Sequence, residues 1–176
     1  MQIDLSVLFA ADGEEKTYTI PFTAESVSWN GVSYPVKKAE AGTFTLKHRG
    51  NRVIDVKAGQ KLTVTFPCDR CLTPVDIDFH LMPERRIDAN VSRDERIRDL
   101  DEQPYVQGNF LDTDRLILDE LYGNMPVKVL CREDCKGLCP VCGQNLNIRD
   151  CGHGRPEPDL RMAAIRDLFG GLDDGN

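Results

Sequence analysis

Residues 61–82 read KLTVTFPCDRCLTPVDIDFHLM, and the two halves of this stretch set the fold class. Leu62, Val64 and Phe66 alternate with Lys61, Thr63 and Thr65. Val75, Ile77, Phe79 and Leu81 alternate in the same way with Asp76, Asp78 and His80. A period of two with one polar face describes half-buried antiparallel strands. Between the strands, Pro67 and Pro74 bracket Cys68-Asp69-Arg70-Cys71, so the two cysteines cap a hairpin-like connection. A knuckle there presents Arg70 outward at one end of the sheet, as a solvated loop charge.

The same alternation runs back toward the N-terminus. It is carried by Ile3, Leu5, Val7 and Phe9, by Phe44 and Leu46, and by Val53, Ile54 and Val56. Asp12-Gly13, Asn30-Gly31, Gly42, Gly50-Asn51 and Gly59 punctuate these runs as turns. The expectation is an α+β protein whose N-terminal part, residues 1–83, is a β-rich antiparallel barrel or open meander ending in the Cys68/Cys71 hairpin. Residues 84–110 follow as a charged linker or loop. Their first part, ERRIDANVSRDERIRDLDEQPY (84–105), is dense in both signs of charge and shows no apolar stripe. Arg85, Arg86, Arg93, Arg96 and Arg98 offer a basic face there, weakened by the interleaved acids.

Residues 111–176 hold a helix, a Cys-rich lobe and a closing helix. Asp112 or Thr113 caps the first helix, and Leu116, Ile117, Leu118, Leu121 and Tyr122 form its apolar side. Gly123-Asn124 and Pro126 end it, and it is expected to pack on the sheet. A last helix over 159–169 starts at Pro158-Asp159, carries Leu160, Ala164, Ile165 and Leu168 on one face, and stops at Gly170-Gly171. The tail LDDGN is expected to be disordered.

Six metal-capable side chains crowd the segment CREDCKGLCPVCGQNLNIRDCGH, residues 131–153. Cys139 and Cys142 are the surest ligands, because Cys-x-x-Cys lets two thiolates turn onto one ion and Gly143 suits the tight turn. Cys151 and His153 close a site of three cysteines and one histidine, whereas Cys131 and Cys135 close an all-cysteine site; the spacing admits either. With Cys68 and Cys71 there are eight ligands, enough for a second tetrahedral site. One Zn²⁺ is expected, two if the upstream pair takes part. A closed four-ligand site has no open position and stabilises a small lobe rather than catalysing.

Two other chemistries compete for the cysteines. Disulfides are disfavoured by the odd total of seven and by an N-terminus, MQIDLSVLFAADGEE, without a basic n-region and long apolar core. A reducing, cytoplasmic setting is therefore expected. A thiol redox pair at Cys68/Cys71 is the rival from the enzyme class, although such pairs usually open a helix. No catalytic constellation stands out. His48, in Lys47-His48-Arg49, reads as surface, and His80 lies on the polar face of its strand. Nucleophile-elbow, phosphate-loop and dinucleotide fingerprints are lacking, so neither an enzyme nor a small-molecule substrate is expected.

Hydrophobic residues make up 40% of the chain, enough for a core, and no run approaches the ~20 apolar residues of a membrane span. The formal net charge of −7 excludes a bulk-basic nucleic-acid binder. Any RNA contact has to come from a local patch.

PCDRCL after an alternating strand, then LILDELYGNMPVKVLCREDCKGLCPVCGQNLN, then PEPDLRMAAIRDLF resemble, in order, motifs of the bacterial and plastid YceD family, the large ribosomal RNA accumulation proteins. The resemblance covers roughly residues 55–170. The first signature falls on Cys68, Arg70, Cys71 and Leu72. The second runs from Cys131 and Cys135 through Gly137, Leu138, Cys139, Pro140, Cys142 and Gly143 to Asn145, Leu146 and Asn147. It implies a non-enzymatic factor in large-subunit ribosomal RNA processing and ribosome assembly, binding precursor RNA, a ribosomal protein, or both. Given the acidic charge, a protein contact is expected to supply most affinity, with Lys37, Lys38, Arg49, Arg52 and Arg70 touching RNA. A zinc-bearing interaction adaptor is the remaining alternative.

Overall fold

A computed structural model of the protein describes residues 1–10 and 12–154. The expected closing helix over 159–169 and the tail lie outside the described residues. The described residues divide into two compact units, Met1–Pro67 with Pro74–Val129, and Cys68–Thr73 with 130–154.

The first unit is mostly antiparallel sheet with few helices, an α+β, β-rich class. Its strands are β1 (Gln2–Asp4), β2 (Glu15–Pro21), β3 (Ser26–Trp29), β4 (Val32–Ala39), β5 (Ala41–His48), β6 (Val53–Pro67), β7 (Pro74–Leu81), β8 (Glu84–Asp88), β9 (Val106–Gln107) and β10 (Phe110–Asp112). Two helices accompany them, α1 (Arg93–Arg98) and α2 (Thr113–Gly123). Strands β1, β10 and β9 form a small sheet.

The seven-stranded sheet is organised by β6. Its first half pairs with β5 on one side and β8 on the other, with Val56 opposite both Leu46 and Arg85. Its second half pairs with β4 and β7, with Leu62 opposite both Ala39 and Phe79. Gly59, expected as a turn, lies inside one 15-residue strand at the level where the partners change. Glu40, between β4 and β5, and Met82-Pro83, between β7 and β8, fall at that level too. The backbone stays tied there, since Glu40 N–H donates to Lys61 O (3.0 Å) and Ala58 N–H to Pro83 O (3.0 Å). The outer strands are β2, β3, β7 and β8, and no two of them pair with each other, so the sheet is open among the described residues. The barrel alternative is not realised among the described residues, because closure requires the two end strands to share hydrogen bonds.

The alternating apolar side chains behave as their spacing dictates. Phe44, Leu46, Ile54, Val56, Leu62, Val64, Phe66, Phe79 and Leu81 are buried. Each contributes about 1.5–3 kcal/mol by leaving water. Asp112 caps α2 by accepting from Arg115 N–H (3.1 Å), and Leu116, Ile117 and Leu121 turn into the core. Trp29 of β3 stacks on Tyr122 of α2 with ring centroids 5.5 Å apart.

Three local expectations change. Leu5 to Leu8 form a 3-10 turn rather than a strand. The Asp4 carboxylate accepts from Ser6 N–H, and the i, i+3 pair Leu5 and Leu8 is buried while Val7 is exposed. His48 is buried rather than on the surface, with its ring 5.7 Å from Phe9 and Nδ1 3.5 Å from Asp12 Oδ1. Residues 84–110, read as a linker, hold β8, α1, β9 and the start of β10. Several of their charges are paired: Arg85 with Glu120 (2.7 Å), and the exposed Arg86 with Asp55 (2.8 Å) and Arg93 with Glu102 (3.4 Å). Ser92 and Glu95 form a capping box for α1, a pattern visible in Ser92-Arg93-Asp94-Glu95.

Arg86, and then Arg49, hydrogen-bond to the Asp55 carboxyl and hold it below the usual carboxylate range. A carboxyl lowered on folding contributes stability that is present above its unfolded pKa of about 3.9 and is lost as pH falls through the folded value. Chemical denaturation of wild type should therefore lose stability from about pH 4 downward. Asp55→Asn should be less stable at pH 7 and show a shallower acid limb. Parallel acid limbs in the two proteins would exclude this role for Asp55.

Candidate metal centre

The second unit collects its cysteines from two distant stretches of chain. Cys68, Cys71, Cys131 and Cys135 form one group, and Cys139, Cys142, Cys151 and His153 another. Within each group the four ligand atoms lie within 4.8 Å of one another. The structure thus resolves the choice the spacing left open. Cys139 and Cys142 gather with Cys151 and His153, while Cys131 and Cys135 gather with the upstream pair.

Both Cys-x-x-Cys turns are built alike. Leu72 N–H donates to Cys68 O (2.9 Å), and Gly143 N–H donates to Cys139 O (2.8 Å). The residue after the second cysteine has positive φ in each, 60° at Leu72 and 74° at Gly143. Glycine takes this conformation freely; the leucine is held in it by the knuckle hydrogen bond and by Cys68 N–H donating to Thr73 O (2.9 Å). Leu138 N–H donating to Arg70 O (3.0 Å) joins the two stretches, and Leu146 N–H donating to Gly137 O (3.0 Å) braces the downstream one. Gly137 has φ 78°, and a Cβ there would sit 3.0 Å from Arg70 O, so backbone approaches backbone where a side chain would intrude.

Sulfur spacing tests the fit to a metal. Bonds of ~2.3 Å at tetrahedral angles set thiolates about 3.8 Å apart. Cys68 and Cys135 sulfurs are 3.8 Å apart, and Cys71 and Cys131 sulfurs 3.5 Å, too far for a disulfide. In the second group Cys139 Sγ lies 3.9 Å from His153 Nδ1. Cys68, Cys71 and Cys135 are buried, whereas Cys142 and His153 are exposed. Both donor sets could hold a metal ion.

Outer hydrogen bonds orient the ligands, as metal sites require. Asn147 Nδ2 donates to Cys135 Sγ (3.2 Å) while its Oδ1 accepts from Lys136 N–H (2.8 Å) and Arg132 (2.7 Å). Thr73 Oγ1 lies 3.2 Å from Cys71 Sγ. Thr73 carried no signal in the sequence beyond its place two residues after Cys71. Burial acts to raise the Cys68 thiol, but N–H groups of Arg70, Cys131 and Cys71 outweigh it and bring the thiol down to about 6. Cys131 is pushed up to about 12 by burial and then by the neighbouring Cys71, Cys135 and Cys68 sulfurs. Backbone N–H groups of Cys142 and Val141 bring Cys139 to about 6. Hydrogen bonds with Thr73 lower Cys71 as well. The first group therefore ionises two cysteines readily and the second ionises one, while Cys131 and Cys151 resist more negative charge beside them, a repulsion that a divalent cation removes.

Each of the five basic side chains singled out as contacts has a hydrogen bond or ion pair of its own. Arg49 pairs with Asp55 (2.6 Å), Lys37 with Asp76, and Lys38 with Glu40 (3.6 Å). Arg52 donates to Asn109 Oδ1 (2.9 Å) and lies over the Phe9 ring. Arg70, expected to face outward, is exposed, and its Nη1 also donates to Cys135 O (2.9 Å), satisfying that carbonyl inside the knuckle.

The class of protein is thus a β-rich unit with two four-donor groups that could hold metal. Within that class the chain belongs to the YceD family: the model described as large ribosomal RNA subunit accumulation protein YceD matches residues 56–169. The match contains all eight candidate ligands. Among its relatives is an uncharacterized protein of Mycobacterium tuberculosis, 31% identical over 110 residues, which cover 58% of this chain and 49% of the relative. A Mycobacterium leprae protein is 29% identical over 111 residues, 61% of this chain and 51% of the relative. The chloroplastic large ribosomal RNA subunit accumulation protein YCED homolog 1 of Arabidopsis thaliana is 39% identical over 58 residues, 33% of this chain and 18% of the relative. The chain spans about half the length of the mycobacterial relatives it matches. No solved structure matches.

Proposed function

We propose that the protein is a non-enzymatic factor for accumulation of large-subunit ribosomal RNA, stabilised by two structural Zn²⁺ ions. Family membership carries the reading, because the matched span covers both knuckles and β7, α2 and most of β6. The family's description and the name of the plant relative both concern large ribosomal RNA subunit accumulation. Cys68 and Cys71 would hold one ion with Cys131 and Cys135; Cys139, Cys142, Cys151 and His153 would hold the other. Zinc supplies cross-linking of loops too small to bury a core of their own. Four protein donors leave it no position for substrate. Burial of Cys68 and Cys71 also counts against a redox pair, whose thiols must be reached. No helix among the described residues is long and apolar enough to cross a membrane, in keeping with action in the cytoplasm on a ribosomal particle.

A ribosomal protein supplies most of the affinity in this proposal, since the net charge of −7 opposes RNA at long range. RNA contact is local. Sedimentation of the tagged protein from a native lysate tests the proposal. Co-migration with immature large subunits, and fewer mature large subunits on depletion, are the expected results. Migration only as free protein, with normal precursor levels on depletion, would overturn it.

A further inference from the structure

Two of the cavities on the β-rich unit are lined by arginine, and they differ in how that charge is balanced. One, of about 390 Å³, is lined by Arg49, Arg85 and Arg86 together with Asp55 and Glu84. It neutralises itself: Asp55 takes Arg49 and Arg86, and Glu120 takes Arg85. The other, of about 330 Å³, is formed where the β8–α1 connection faces the β9–β10 turn. It is lined by Arg93 and Arg96 with Asn90, Ser92, Gln103 and Asn109, and by no Asp or Glu.

Arg96 is the unusual group. Its residue is only 7% exposed. Its guanidinium donates through Nη1 to Gln103 Oε1 (3.1 Å) and through Nη2 to the Asp88 carbonyl, both uncharged acceptors. Among the described residues no carboxylate lies within ion-pair distance of it. A buried cation without a counter-ion is unfavourable, and two hydrogen bonds leave the other N–H groups of a five-donor fork available. The acids nearby are committed elsewhere. The Asp88 carboxylate accepts from Asn90, Glu95 caps Ser92, and Asp101 accepts from Gln103 Nε2. That last bond, with a second from Gln103 Nε2 to Arg86 O (3.2 Å), fixes the amide so that Oε1 meets Arg96. At the rim, the well-exposed Arg93 meets Glu102 only at 3.4 Å, a surface pair that an incoming anion can replace.

We infer that this cavity binds a phosphate group, gripped from within by Arg96 and from the rim by Arg93. Planar guanidinium forks match phosphate oxygens, and a local pair of them works inside an acidic protein because the contact is short-range and partly desolvated. The site deepens the reading above and rests on it: the phosphate is the local RNA contact of a protein whose overall charge repels RNA. The group can arrive as a phosphodiester of an RNA strand or as a free phosphomonoester.

The test uses the full chain, ¹⁵N-labelled and zinc-loaded, followed by NMR during titration with inorganic phosphate, with acetate and chloride at matched ionic strength as controls. Arginine Nε–H signals and amides of residues 90–109 are expected to shift with phosphate and not with the controls. Arg93→Gln, at the exposed rim, is expected to weaken binding about tenfold without altering the fold, the effect of one charge-assisted contact. Arg96→Lys is expected to weaken it at least as much. A short single-stranded RNA and a nucleoside monophosphate then separate the sources; tighter binding of the RNA supports a backbone contact. No phosphate-specific shift, or equal binding by wild type and Arg93→Gln, would overturn the site. Phosphate binding with no co-migration on gradients would sink the ribosomal proposal and leave the site standing. Co-migration without phosphate binding would remove the site alone.

Discussion

Replacing Cys135 by Ser is expected to halve the zinc content of the purified protein, from two ions per chain to one. The two donor groups share no ligand, so each ion should be lost separately. Cys135 is buried, its sulfur lies 3.8 Å from that of Cys68, and Asn147 Nδ2 donates to it. Serine keeps the size but supplies a poor zinc ligand and an oxygen in place of the thiolate. Structural zinc contributes about 10–16 kcal/mol of apparent binding free energy in small knuckles, comparable with the whole stability of a domain. Loss of this ion should therefore open the chain between 130 and 154 to protease. Cys68→Ser is the sharper variant, because it lies more than 60 residues away in sequence and matters only if the upstream pair completes the site. Full zinc in Cys68→Ser would show that Cys68 is not a ligand and that the upstream pair does not complete the site. Metal analysis after gel filtration reads either outcome, and Cys139→Ser should remove the other ion and leave the first.

Local pattern was enough for most of this architecture. The period-two runs of β5, β6 and β7 and the capped amphipathic run of α2 are properties of a few neighbouring residues, and they fold as those residues dictate. So is the Cys-x-x-Cys knuckle, and all eight side chains that the structure gathers into two groups were named as candidates from the sequence. Which knuckle closes on which pair was not legible, because that depends on Gly137 and Arg70 bringing backbone to backbone across some 65 residues of chain. The charged segment 84–110 misled for a related reason. Some of its charges find partners on β6 and on α2, so high charge density there goes with pairing into regular structure as well as with exposure. Gly59 looked like a turn because glycine usually is one between apolar runs. Here it is the point where β6 exchanges one pair of partners for another, a distinction only the neighbouring strands make. His48 reads as polar from its neighbours Lys47 and Arg49, yet strand alternation turns it inward while they face out.

That exchange point also carries the second large effect. Gly42→Ala is expected to destabilise the β-rich unit by about 2–4 kcal/mol, from overpacking together with lost hydrogen bonds. In an ordinary strand the same change helps by roughly 0.5–1 kcal/mol, because glycine loses more backbone entropy. Here a Cβ would lie 2.3 Å from Gln60 Oε1 and 3.0 Å from Phe44 Cε2. Gln60 is 3% exposed and cannot swing into water without leaving its place. Its Nε2 donates to Glu40 O (2.7 Å) and Lys61 O (3.0 Å), tying together the strands that change partners at this level. Moving the amide breaks those bonds, and moving Phe44 disturbs a fully packed ring, so the clash outweighs the entropy gain. Its Oε1 has no hydrogen-bond partner among the described residues, which identifies the amide as held by its donors alone. Gln60→Ala should therefore relieve the clash. The double variant should be more stable than the sum of the single effects by at least about 1 kcal/mol, since the two sites are in contact. Urea unfolding followed through Trp29, the single tryptophan, measures all three variants within the unit concerned. A neutral Gly42→Ala, or strictly additive effects in the double variant, would mean that Gln60 does not hold the strands at this level.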